Sequence, residues 1–506
     1  MIDRKELAPL LAVMVVFASL AAVAAVNVTS DSGDCFTIIH TNDTHCFYDG
    51  DGGVGFPTVR TLSEKYSRTG AVFTVDAGDF LQGNSYGTMT TGQGSVDVMN
   101  TIGYDLCVPG NHEFDFGLDV LLERVGQLDF PVICANLVYS DTGENVFDGY
   151  IVLEKRGIRV GFFGLLTPET PTVTTEGAMG NTEVTDPVAA AEEMVSVLRA
   201  QNVDAVVAVG HLGVAREGFI TSDELCRDVP GIDIFIDGHS HTEMEDGKVC
   251  DGSIVLEESD TMIASTGCYL HNVGIITCKS GSIDAKLYRG PALSSHQVSL
   301  AIQEVKEYVD SLLSTVIGST EIPLVGERDI IRNGETNLGD LAADAMRSAL
   351  DTDVAIVNAG GLRTSIQAGD IRLKDVYDVM PFLNYSCKVE VPGSVLWEEM
   401  EFSLALMGNS KGGFIQFSGM TVIYDPSAEA GHKVLSITVA GEEVDKTATY
   451  SVATSDFVAG GGDGNIFFKG YEKKFGPDTA TIFAEYIQSI VTITGSTIEG
   501  NRLIAG

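Results

Sequence analysis

Between residues 36 and about 291, short apolar runs and longer periodic stretches alternate in a strand, loop, helix order. The runs at 36–40, 71–75, 105–108, 132–135, 159–163, 203–209 and 232–236 are rich in β-branched and aromatic residues and read as strands. Where apolar positions recur every three or four residues, as at 186–200, a helix is expected. This alternation predicts a layered α/β domain with a largely buried sheet. The stretch 253–287 reads instead as antiparallel strands joined by glycine turns. Residues 296–315 form an isolated amphipathic pattern, with Glu304, Lys306, Glu307 and Asp310 on its polar side, and read as a connecting helix. A second mixed α/β domain follows, with a helix near Asn337–Leu350, a strand at Val354–Asn358 and a glycine-rich loop at 460–464. The expected division is 34–295, a connecting helix or hinge at 296–320, and 321–506.

The apolar run 7–26 changes the picture at the N-terminus. With Ala22-Val23-Ala24 as a small-residue cleavage site, residues 1–26 read as a secretory signal, so an exported protein is expected, in an extracellular, cell-surface or periplasm-like space. An uncleaved anchor is the rival, and it is the only membrane contact expected. Residues 501–506 carry no hydrophobic tail, so no C-terminal lipid anchor is expected. The 506 residues suffice for two or three domains with full cores. Acidic residues outnumber basic ones 71 to 31, a formal charge of −40, which disfavours a nucleic-acid duplex as partner. A phosphate ester bound by such a chain needs positive charge concentrated locally, by metals and a few arginines. The nine cysteines lack paired short spacings, so neither a zinc finger nor a disulfide scaffold is indicated. Oligomeric state is not legible in the chain.

Five of the nine histidines lie in four segments that directly follow strand-like runs: Asn42-Asp43-Thr44-His45, Gly110-Asn111-His112-Glu113-Phe114-Asp115, Gly210-His211 and Asp237-Gly238-His239-Ser240-His241. A fifth run ends in Asp76-Ala77-Gly78-Asp79. Strand ends are where open α/β sheets gather ligand groups, and imidazole with carboxylate is a transition-metal donor set. Asp43, His45, Asp79, Asn111, His211, His239 and His241 are seven donors, too many for one tetrahedral ion and suited to two divalent ions with open positions. Asp79 is the natural shared ligand, because a carboxylate can bridge. Zinc, manganese, iron and cobalt all fit these donors. His40, His271, His296 and His432 have no such partners and read as structural.

The ordered set of segments resembles the calcineurin-like metallophosphoesterases. Asn337-Leu338-Gly339-Asp340, Asn358-Ala359-Gly360-Gly361-Leu362-Arg363, Pro381-Phe382-Leu383-Asn384 and Gly461-Gly462-Asp463-Gly464 narrow the resemblance to the 5′-nucleotidase, UDP-sugar hydrolase and 2′,3′-cyclic-nucleotide phosphodiesterase family. It extends from about Cys35 to the C-terminus. The resemblance implies a four-layer sandwich joined by a helix to a substrate-binding α/β domain. It implies one ion on Asp43, His45, Asp79 and His241 and another on Asp79, Asn111, His211 and His239. It implies that His112, oriented by Asp115, acts beside the phosphoryl group, and that a water of lowered pKa attacks in line as hydroxide.

Arg328, Arg332 and Arg363 are the basic candidates, since guanidinium suits phosphate or carboxylate recognition. The first two are four apart, but Asn333-Gly334 leaves a helix there unassured. The resemblance implies that these three face the ribose or phosphate, that Phe382 and Phe457 clamp a nucleobase, and that Asn358, Asn384 and Asp463 belong to the substrate side. The expected function is phosphate release from nucleoside 5′-monophosphates, with a small nucleotide as partner. Rivals on the same site are 2′,3′-cyclic nucleotides and nucleotide sugars. A sulfur ester would not need the aromatic clamp, and a catalytically silent nucleotide-binding surface protein is the reading from another class.

Overall fold

The computed structural model describes residues 35–506 except 51, 175–176, 216–217, 255, 257–258 and 383. The segment 1–26, read as signal or anchor, lies outside the described residues. Among those described, no helix is long and apolar enough to cross a membrane.

The first domain holds two five-stranded sheets. One contains β1 (Cys35–Thr41), β2 (Ala71–Asp76) and β3 (Leu106–Cys107), the other β4 (Tyr150–Lys155), β5 (Ile158–Leu166), β6 (Ala205–His211), β7 (Ile234–Asp237) and β8 (Met262–Ala264). β9 (Val273–Lys279) and β10 (Ser282–Tyr288) complete the first, giving the orders β10-β9-β1-β2-β3 and β8-β7-β6-β5-β4. β1, β2 and β3 run parallel, as do β5, β6, β7 and β8, so each set delivers its loops to one sheet edge. The inner faces meet through Phe36, Ile38, Phe73 and Val75 against Phe162, Val207, Val209 and Ile236. Helices α1 (Gly55–Ser67) and α2 (Gln93–Ile102) cover the outer face of the first sheet; α3 (Pro187–Ala200) and α4 (Ser222–Asp228) cover that of the second. This is the four-layer sandwich that the resemblance implies.

Two strand expectations are corrected. Residues 132–135 form no strand: Cys107 accepts from Ile133, Asp148 from Cys134 and Gly164 from Ala135, so three segments share the hydrogen bonds and no continuous ladder forms. Among the described residues of the 253–287 stretch, β9 and β10 are the antiparallel strands expected, whereas β8 joins the second sheet in parallel. The helix read at 296–315 is α5 (His296–Leu313), and its apolar stripe of Val298, Ile302, Val305 and Val309 is buried in the first-domain core. His40 is buried and neutral, its pKa lowered to about 3 by desolvation, with its ring packed on the backbone of Gly274. All nine cysteines are free thiols.

The second domain begins at β11 (Val316–Thr320). Its main sheet contains β12 (Val354–Asn358), β13 (Tyr385–Pro392), β14 (Ile415–Ser418), β15 (Thr449–Ser455) and β16 (Lys473–Asp478), ordered β14-β12-β15-β13-β16. Helix α6 (Asn337–Leu350) packs on this sheet and is started by the Thr336 hydroxyl, which accepts from the amide of Gly339. Helix α7 (Gly393–Ala405) packs across the sheet's other core.

Candidate active site

Parallel pairing brings the five loops together. β1 leads into Asp43 and His45, β2 into Asp79, β3 into Asn111 and His112, β6 ends on His211, and β7 leads into His239 and His241. The loops are laced by backbone bonds: the amides of Asp43 and His45 donate to the carbonyls of Gly78 and Asp79 at 2.9 Å each. Gly78 turns with φ of 91°. A side chain at Gly110 would lie 2.2 Å from Asp79 Oδ1, so only glycine permits that approach. Asp43, His45, Asp79, His239 and His241 all have left-handed φ, between 47° and 74°. Such backbone costs free energy in non-glycine residues and clusters at functional sites.

The donor atoms converge. His241 Nε2 is 3.4 Å from Asp43 Oδ1 and 3.1 Å from His45 Nε2; His211 Nε2 is 3.1 Å from Asp79 Oδ2. Asp43, His45 and His241 form one group whose ligand atoms lie within 4.8 Å of one another, and Asp43, Asp79 and His211 form another. His211 Nδ1 bonds the Ala77 carbonyl at 2.7 Å and His45 Nδ1 that of Gln82 at 2.9 Å, which turns both Nε2 atoms into the site. Asn111 Oδ1 is buried without a hydrogen-bond partner, and His211 Nε2 faces the carboxylate of Asp79; a divalent cation would satisfy both. Burial opposes charge on His211 and His241, yet Asp79 and Asp43 outweigh it and raise both to about 10. The carboxylates therefore demand positive charge at this point. The residues fit a metal centre.

His112 stands beside this cluster. Its Nδ1 bonds Asp115 Oδ2 at 2.8 Å, and its amide donates to Asp79 Oδ1 at 2.9 Å. Burial would lower its pKa, but Asp115 and Asp79 prevail and raise it to about 9.

A cleft of about 910 Å³ separates the domains, within the usual size of a small-ligand site. His45, His112 and His241 line one wall; Arg332, Asn358, Arg363, Phe382, Asn384, Phe457 and Asp463 line the other. Phe382 is 50% and Phe457 44% exposed, unusual for large apolar side chains and suited to receiving a flat ligand. The Arg363 guanidinium lies 5.5 Å from the Phe382 ring centre, and Asn358 donates to Asp463 at 3.0 Å. Arg332 is buried with its Nε unpartnered; burial and the charges of Arg328 and Arg363 lower its pKa. Arg328 begins a short helix, Arg328–Ile331, and is exposed outside the cleft lining.

The family description of calcineurin-like phosphoesterases matches residues 36–243, and that of the 5′-nucleotidase C-terminal domain matches residues 316–470. The chain belongs to the two-domain 5′-nucleotidase family. A trifunctional nucleotide phosphoesterase, YfkN, of Bacillus subtilis is 29% identical over 92% of this chain, which spans only 34% of that protein's length. A snake venom 5′-nucleotidase of Gloydius brevicauda is 28% identical, covering 88% of this chain and 84% of the venom protein. The crystal structure of a 5′-nucleotidase precursor from Thermus thermophilus superimposes with a TM-score of 0.56 at 26% identity, over 93% of this chain and 99% of that one. These likenesses place this family member among phosphoric ester hydrolases.

Several residues that position the family's site were not singled out from sequence. Glu113 accepts from the amides of Asp79, Phe80, Leu81 and Gly110, so one carboxylate shapes both loops. Its place inside Gly-Asn-His-Glu was the available signal. Glu169 bonds His239 Nε2 at 2.8 Å, and Asn42 donates to Asp43 Oδ2 at 2.7 Å. Nothing near Glu169 in the chain signals its contact 70 residues away.

Proposed function

We propose that this chain releases phosphate from nucleoside 5′-monophosphates. The observation that carries the reading is the shared cleft, with the histidine cluster on one wall and exposed phenylalanines with buried arginine on the other. Asp43, His45, Asp79 and His241 would hold one divalent ion, and Asp79, Asn111, His211 and His239 a second. When bound, such ions lower the pKa of water and neutralise phosphoryl charge.

The chain's own residues do the rest. Asp115 holds Nδ1 of His112, which leaves Nε2 to donate a proton-bearing bond to a phosphoryl oxygen. Arg332 and Arg363 anchor the anionic side of the substrate against a strongly acidic protein. Phe382 and Phe457 stack on the base, and Asn384 and Asp463 bond to base and ribose. The Asn358–Asp463 bond keeps the glycine loop in place for that contact.

Residues 27–506, stripped of metal and restored with manganese or zinc, are expected to release phosphate from AMP faster than from 2′,3′-cyclic AMP or UDP-glucose. Phe457→Ala should raise KM about tenfold, the effect of losing one stacking face. Equal KM in the variant, or preference for either other ester, would reassign the substrate. Export through residues 1–26 belongs to the same proposal and rests on the apolar 7–26 run. Mass spectrometry of the full chain made in an exporting host should show loss of roughly that segment; an intact N-terminus in the membrane fraction would establish an anchor instead.

A further inference from the structure

Resting on that reading, we infer that Tyr385 is a positioning residue through which the second domain completes the His112–Asp115 pair of the first. Tyr385 opens β13, where Cys387, Val389 and Val391 point into the second-domain core. The register with β16 shifts between Tyr385 and Cys387, so Tyr385 leaves that buried set although it shares its parity. Its hydroxyl instead donates to Asp115 Oδ2 at 2.5 Å, the same oxygen that His112 Nδ1 bonds at 2.8 Å. Its ring lies along that of His112, with centroids 5.5 Å apart and planes at 27°.

Two independent contacts thus fix the imidazole. The phenol holds the carboxylate oxygen that selects the ring's orientation, and the stacked ring blocks its rotation. Both come from the domain that carries Phe382, Phe457 and Asp463. The pair is therefore complete only in the domain arrangement seen here, and any rotation that opens the cleft removes both contacts together. Substrate docked on the second domain arrives with the group that orients His112, which ties phosphoryl transfer to closure.

The test is Tyr385→Phe in the metal-loaded chain, which keeps the stacked ring and removes the bond. For AMP, kcat is expected to fall about tenfold, as for loss of a bond to a charged group, with KM within about twofold. Adding the same change to Asp115→Asn should cost less than about twofold, because the hydroxyl then has no carboxylate to orient. Amide exchange of residues 110–117 should quicken while residues 387–391 of β13 stay unchanged. An unchanged kcat, a raised KM alone, a full loss in the Asp115→Asn background, or unchanged exchange at 110–117 would each overturn the proposal. Exchange requires no turnover. Absence of phosphate release from AMP by the natural chain therefore counts against the nucleotidase reading alone, and exchange still decides on Tyr385.

Discussion

An Asp79→Asn chain, reloaded with manganese, is expected to release phosphate from AMP at least about a thousandfold more slowly than the natural chain. Asp79 Oδ2 lies 3.1 Å from His211 Nε2 and 3.7 Å from His45 Nε2, so this carboxylate stands between the two proposed ligand groups. Its other oxygen accepts from the amide of His112, so the same side chain also seats the proposed proton donor. Asparagine keeps the shape and the amide contact but removes the charge. Metal content, measured by elemental analysis on the purified chain, should fall from two ions to one or none. A variant that retains two ions and loses less than about tenfold in rate would remove Asp79 from the bridging position.

A second large effect is expected far from the cleft. Glu399 on α7 is fully buried, and neither carboxyl oxygen has a hydrogen-bond partner. Desolvation raises its pKa from 4.5 to about 8. The folded chain therefore keeps a proton there that the unfolded chain gives up. The resulting stability is whole below pH 4.5, declines as pH rises, and is lost once pH passes about 8. At about 1.4 kcal/mol per pH unit, the loss across that window is of order 5 kcal/mol. Glu399→Met, unbranched and apolar, should remove this slope. Urea unfolding of both chains at pH 5 and pH 9 isolates it from other titrating groups. Parallel losses in the two chains would show that Glu399 is hydrated or partnered in solution.

The fold was legible where period and punctuation agree. β1, β2, β6 and β7 announce themselves as β-branched runs, and each ends in a polar cluster that can be buried only among charge and hydrogen-bond partners. That junction marks the side chains of the candidate metal centre. What the chain conceals is of two kinds. Residues 132–135 look like a strand because they are apolar, yet their hydrogen bonds go to three different segments, which composition cannot reveal. Contacts such as Glu169 with His239, or Tyr385 with Asp115 across 270 residues, depend on how loops and domains meet. The left-handed backbone at Asp43, His45, Asp79, His239 and His241 is equally hidden, since aspartate and histidine carry no turn signal as strong as glycine.

Helix α5 has a consequence for how the protein is made. Val298, Ile302, Val305 and Val309 pack on α1 and α2, the helices that cover the first sheet, yet they follow every strand of that domain in the chain. A nascent chain that has only just completed β10 leaves the apolar side of α1 and α2 that α5 covers without its partner. Domains fold as units during synthesis, so the first domain must wait for translation to carry the whole of α5 beyond the ribosome before its core can close. A pause in elongation before that point would leave a nearly finished domain showing apolar surface to chaperones and to other nascent chains.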